Sequence, residues 1–118
     1  MTKSFRDLIV WQKARDLALD VFKITEDFPK SELYGLTSQM RQAVISISSN
    51  IAESYNRFHK KEKDQLLSVA YGSGSELESQ FEISKILFPD VSHASAEALL
   101  LEVMKMLNTL LKKQRSNI

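Results

Sequence analysis

The stretch Leu36–Phe58, LTSQMRQAVISISSNIAESYNRF, leaves this chain little freedom of fold. Its apolar residues fall at Leu36, Met40, Ala43, Val44, Ile47, Ile51 and Tyr55, three and four apart, which is the spacing of one face of an α-helix. Ser46, Ser48, Ser49 and Ser54, with Ala43 and Ala52, are interleaved among them. Small side chains let neighbouring helices approach closely, so the stretch reads as a packing helix at the centre of a bundle.

Three other segments carry the same period. Val10, Ala14, Leu17, Val21, Ile24 and Phe28 form a first seam, with Trp11 beside it as a core residue. Leu67, Ala70, Gly74, Leu77, Phe81, Ser84 and Phe88 form a third, and Ala96, Leu100, Val103, Leu107 and Leu110 a fourth. Pro29 with Gly35, the polar run NRFHKKEKDQ, and Pro89 with Asp90 separate the segments. The expectation is an all-α four-helix bundle in one domain, residues 1–118, with helices at about 6–27, 36–57, 61–87 and 93–113. Asp90 or Ser92 would cap the last helix. Gly72 and Gly74 in the third segment imply either a turn or a close helix crossing; the seam keeps its phase through both, which favours crossing.

Composition excludes more than it assigns. The absence of cysteine removes disulfides, thiolate metal sites and thiol catalysis, and suits a cytoplasmic protein. The N-terminus is charged from its third residue, without a signal-peptide core. No run approaches the ~18 apolar residues of a membrane span, so no membrane partner is expected. A net charge of +1 does not announce a nucleic-acid binder, so any such role must rest on local charge.

Local charge peaks between the second and third segments, where Arg57, His59, Lys60, Lys61 and Lys63 crowd together around Phe58. Their bland role is a solvated helix start; their functional role is contact with a phosphate backbone, with Phe58 or Tyr55 stacking on bases. The run Lys112-Lys113-Gln114-Arg115 suits the negative end of the last helix. Asn50 stands on a seam where an apolar residue is expected, and Glu76 lies at the core edge, so Arg41, Asn50 and Glu76 are expected to form a structural polar network. Leu99, Leu101, Met104, Met106 and Leu111 lie off the fourth seam, point in more directions than one core can bury, and are assigned to an interface between copies.

Enzyme motifs are missing. His59 and His93 lie in or beside connections, and the paired Glu-x-x-His pattern of a di-iron bundle is absent, so no metal is expected. Gly72-Ser73-Gly74 has neither a preceding strand nor a phosphate-loop lysine, and the serines of the second segment have no nearby histidine as base. The expectation is a protein that is not an enzyme and carries no cofactor.

FRDLIVWQKARDLALDVF, FPKSELYGLTSQMRQAVISISSNIAES and YGSGSELESQFEIS together resemble the bacterial four-helix proteins of the ribosomal RNA intervening-sequence family. The resemblance covers Phe5 to about Leu87, more weakly the last segment. It implies an up-and-down antiparallel bundle assembling as a homopentamer, similar to the accessory variability determinant of diversity-generating retroelements, which binds nucleic acid and a reverse transcriptase. It implies that Arg41, Asn50, Glu53, Gly72, Glu76 and Gln80 are structural signature positions. The resulting expectation is an oligomeric binding or scaffold module whose partners are its own copies and nucleic acid or a ribonucleoprotein. The alternative is a protein-interaction scaffold with no nucleic-acid role.

Overall fold

The period of three and four is realised as helix in every segment that carries it. The computed structural model describes the backbone of residues 2–116 and the side chains of residues 2–113. Among them are four α-helices and no strand: α1 (Ile9–Glu26), α2 (Leu36–Tyr55), α3 (Lys60–Leu87) and α4 (Ala94–Ser116). The helices form a ring in which α1 packs on α2, α2 on α3, α3 on α4, and α4 on α1. With 28 residues, α3 is about 42 Å long and spans most of the 45 Å long axis.

Inside the ring, Leu17 and Val21 of α1, Met40, Val44, Ile47 and Ile51 of α2, Leu77 and Phe81 of α3, and Val103 and Leu107 of α4 are fully buried. Each contributes roughly 1.5–3 kcal/mol relative to exposure. Trp11 packs at the edge of this core, its ring edge-on to Phe5 at 5.0 Å. At the far end Phe28, buried just before Pro29, meets Phe88 at 4.6 Å and closes the bundle beneath two connections.

The first helix starts later than its periodicity predicts. Leu8 is extended (φ −73°, ψ 125°) and separates α1 from a 3-10 turn at Phe5–Asp7. Two short polar side chains hold that turn: Ser4 Oγ accepts from the Arg6 N–H (2.9 Å), and Asp7 Oδ2 accepts from the N–H groups of Lys3 (2.9 Å) and Ser4 (3.2 Å). This reciprocal capping satisfies backbone donors that a longer helix would leave open. Gln114 and Arg115 of the C-terminal basic run lie outside the described side chains.

The two glycines of α3 have different roles. The helix runs unbroken through both, so no turn forms. A Cβ on Gly74 would collide with Met104 Sδ of α4, with Cε at 3.3 Å and Cγ at 3.6 Å, so the missing side chain makes room for a neighbour's side chain rather than for the close approach of its backbone. A Cβ on Gly72 would meet nothing within 4 Å, and this glycine serves no crossing in the subunit.

Charged side chains tie the helices along their outer edges. Lys13 Nζ of α1 lies 2.7 Å from Glu102 of α4, and Ser95 Oγ of α4 donates to Asp20 of α1 at 2.6 Å. Lys85 of α3 reaches Glu97 of α4 at 2.9 Å and Glu82 of its own helix at 3.0 Å. The hydrogen bond to Glu97, then that to Glu82, raises the Lys85 pKa above its ordinary 10.5; Glu102 does the same for Lys13.

Gly72→Ala is expected to stabilise the fold by roughly 0.5–1 kcal/mol through helix propensity. Gly74→Ala, which must displace a buried methionine, should cost about 1–2 kcal/mol net. Urea unfolding of both variants checks the pair. A second prediction follows from Lys85. A raised native lysine pKa adds stability that is complete below the unfolded value and disappears as pH climbs through the native value. The small stability deficit of Lys85→Met should therefore be complete at pH values well below the ordinary lysine pKa of 10.5 and close as pH rises through the raised native value.

Candidate nucleic-acid interface

α2 ends at Tyr55, where Asn56 and Arg57 turn the chain by donating N–H bonds to Glu53 O (3.1 Å) and Ser54 O (3.3 Å). α3 begins at Lys60, so Arg57, Phe58 and His59 form a tight exposed corner. The Phe58 ring is 96% exposed, while Tyr55 is half-buried with its hydroxyl donating to Thr2 O at 3.2 Å. Of the two rings considered for stacking, only Phe58 is open to a partner.

The start of α3 is electrostatically unusual. No side chain caps it at His59, although the backbone N–H of Lys63 bonds to His59 O at 3.0 Å. The positive end of a helix favours carboxylates. Here Glu62 is accompanied by exposed Lys60 and Lys61, while Arg57 Nε reaches Glu62 at a loose 3.7 Å. Open backbone donors, the helix dipole and lysine charge thus converge beside an exposed aromatic ring, a combination suited to phosphate oxygens.

Lys63 does not share this surface. It is half-buried and lines a cavity of about 590 Å³ at the same end of the bundle. Helical rotation of 100° per residue turns Lys63 about 160° from Lys61 but only about 60° from Lys60, so Lys63 differs from Lys60 because it lies almost one turn further along α3, where the cavity begins.

The structure does not assemble the expected polar trio. Arg41 Nε donates to Thr25 Oγ1 of α1 (2.9 Å), and its guanidinium lies 4.7 Å from the Phe22 ring centroid. Asn50 Nδ2 donates back to Ser46 O (2.8 Å) and Ser46 Oγ (3.1 Å); Ser46 in turn shares a 2.8 Å hydrogen bond with Ser73 of α3. Glu76 is exposed and accepts from Gln80 Nε2 at 3.2 Å. Each polar group finds a nearer partner on its own helix or on the adjoining one, which removes the need for a shared cluster.

The apolar surplus expected on α4 is mostly consumed within the subunit. Met104 and Leu111 are buried, and Leu99 and Met106 pack against the core; only Leu101 of that set is exposed, at 56%. The missing side chain at Gly74 is what accommodates Met104. Exposed apolar side chains gather instead on α3, at Val69, Ile83, Ile86 and Leu87.

Sequence reasoning missed the Ser46–Ser73 link, and also the buried pair Ser84 Oγ and His93 Nε2 (2.7 Å). His93 Nδ1 faces Val91 O at 2.9 Å; because a carbonyl only accepts, that nitrogen carries a hydrogen. Ser84 on the apolar seam was the available signal. Among the described residues, no three His, Cys, Asp or Glu side chains could jointly hold a metal ion, and no helix is long and apolar enough to cross a membrane.

A family model described as 23S rRNA-intervening sequence protein matches residues 6–109. The chain belongs to that family. A comparison with curated proteins finds no match. In this intervening-sequence family protein the matched span runs from the 3-10 turn before α1 deep into α4, and so includes the whole basic corner.

Proposed function

We propose that this intervening-sequence family protein is a non-enzymatic binding module of the cytoplasm, a homo-oligomer that docks on nucleic-acid phosphates through the α2–α3 corner. The observation that carries the reading is the uncapped start of α3, with His59, Lys60 and Lys61 exposed around it and Phe58 projecting alongside. Arg57 adds charge, partly offset by Glu62. Lys63 is left out of the contact set because it lines the cavity.

An up-and-down antiparallel course is supported by the side-chain pairs. Lys13 with Glu102 and Asp20 with Ser95 run in opposite directions along α1 and α4, as do Gly74 with Met104 and Lys85 with Glu97 along α3 and α4. Self-association is proposed to use α3, where Ile83, Ile86 and Leu87 stand three and four apart on one exposed face and Ile86 is 80% exposed. The number five rests on the resemblance to the pentameric retroelement determinant. Repeating a weak basic corner around a ring multiplies its avidity without new contacts. The rival reading, a protein scaffold with no nucleic-acid role, draws on the +1 net charge and the same apolar face.

Single-stranded RNA binding followed by fluorescence anisotropy should weaken steeply between about 50 and 200 mM salt. The double change Lys60→Ala with Lys61→Ala should flatten the log–log salt slope by about 0.7 for each phosphate no longer neutralised. Affinity indifferent to salt and to both lysines, with protein partners still captured after nuclease treatment, would favour the scaffold. For assembly, Ile83→Lys combined with Ile86→Lys should reduce the mass seen by light scattering to that of one chain while leaving helical circular dichroism intact. An unchanged mass would place the interface elsewhere.

A further inference from the structure

The cavity beside Lys63 has the makings of a ligand site separate from the basic corner. Its walls include Leu8, Val10, Ile51, Leu67, Met106 and Leu110, drawn from all four helices and the residue before α1, and its volume of about 590 Å³ falls among small-molecule pockets. Polar and charged groups are confined to a few positions, of which Lys63, Asp7 and Tyr55 are the ones able to orient a bound molecule.

These three groups are not equally available. Asp7 Oδ2 is engaged by two backbone N–H groups, and the Tyr55 hydroxyl is donated to Thr2 O. Lys63 is half-buried, yet its ammonium makes no hydrogen bond or ion pair with any described residue. A half-buried lysine on the wall of a largely apolar cavity offers its methylene stem to an alkyl chain and its ammonium to an anion. One ammonium with a carboxylate nearby suits a monoanion better than a doubly charged phosphate.

We propose that this cavity binds a single-chain carboxylate amphiphile, with its alkyl tail against Leu67, Met106 and Leu110 and its carboxylate on Lys63 Nζ. Thr2, Asp7 and Leu8 of the N-terminal segment line one side, and the Tyr55–Thr2 hydrogen bond ties that segment to α2. The occupant is a free monomeric amphiphile, since its apolar part meets Leu67, Met106 and Leu110 while Thr2, Asp7 and Lys63 put polar groups in the same lining.

The test is calorimetric titration of the full-length assembled protein with sodium decanoate below its micelle-forming concentration, alongside decan-1-ol and decylamine. The Met106 methyl resonance serves as the local reporter. Decanoate should bind saturably, shift that resonance, and outcompete decan-1-ol by about tenfold, the worth of one charge-assisted hydrogen bond. Lys63→Met, which keeps the stem and removes the charge, should bring decanoate down to the level of decan-1-ol while leaving decan-1-ol unchanged. Absence of saturable decanoate binding would overturn the proposal. So would equal decanoate affinity in wild type and Lys63→Met, or a preference for decylamine, which would make Asp7 the orienting group. Met106→Trp should fill the cavity and abolish binding of both decanoate and decan-1-ol; retained binding in a folded Met106→Trp protein would place the ligand elsewhere and refute the site.

Discussion

Met104 of α4 packs into the space that Gly74 of α3 leaves open, and this contact couples the two helices. Met104 occupies the volume that any larger residue would claim, so the distance between α3 and α4 is set where their seams meet. Helices are stiff, and an outward shift at this point would be carried along both. It would draw His93 away from Ser84 and Lys85 away from Glu97 near the opposite end. It would also loosen Phe81, whose ring meets the His93 ring at 5.7 Å. The absence of one Cβ thus underlies the burial of Met104 and the satisfaction of a buried histidine, because protein interiors transmit misfit rather than absorb it.

Polar groups near the core are handled in small units. Ser46 takes two bonds from Asn50 one turn away and a third shared with Ser73 across the α2–α3 contact. Arg41 turns toward Thr25, whose hydroxyl is also within 2.8 Å of Val21 O, and covers Phe22 with its flat face. Such units contribute little net energy, but leaving any member unpaired would cost about 1–3 kcal/mol. They therefore disfavour a shifted register of α2 on α3 or of α1 on α2, in which these particular partners would not meet. The hydrophobic seams alone, repeating every few residues, discriminate less sharply against a slip of one turn.

This division explains what could be read in advance. Seams at 3.6-residue periodicity were legible in all four segments, because burial acts on whole faces and depends little on detail. The start of α1 was not, since Leu8 fits the apolar pattern while Ser4 and Asp7 build a competing local turn. Arg41, Asn50 and Glu76 were identified as polar residues near packing surfaces, but their partners depend on rotamers and interhelical distances that no periodicity encodes. The α4 surplus misled for a related reason: helical angles showed Met104 and Leu111 off the main seam, whereas the room for Met104 comes from Gly74 on another helix. At the candidate site, the density of basic residues was legible, whereas the cavity that Lys63 lines depends on residues of α1, α2 and α4 that no local pattern brings to it.

The start of α3 has a double character. Lys60 and Lys61 stand where the helix dipole disfavours them, and no capping side chain occupies the donors they surround. Local choices that oppose the stability of their own element concentrate at functional positions, where another interaction compensates. An anionic partner supplies that compensation twice over under the proposed reading, by pairing with the lysines and by accepting from the open N–H groups. Lys63, less than one turn later, faces a different medium, an apolar cavity in place of water. Under the two proposals one basic run addresses two kinds of anion, a solvated polyanion outside and an amphiphilic monoanion within.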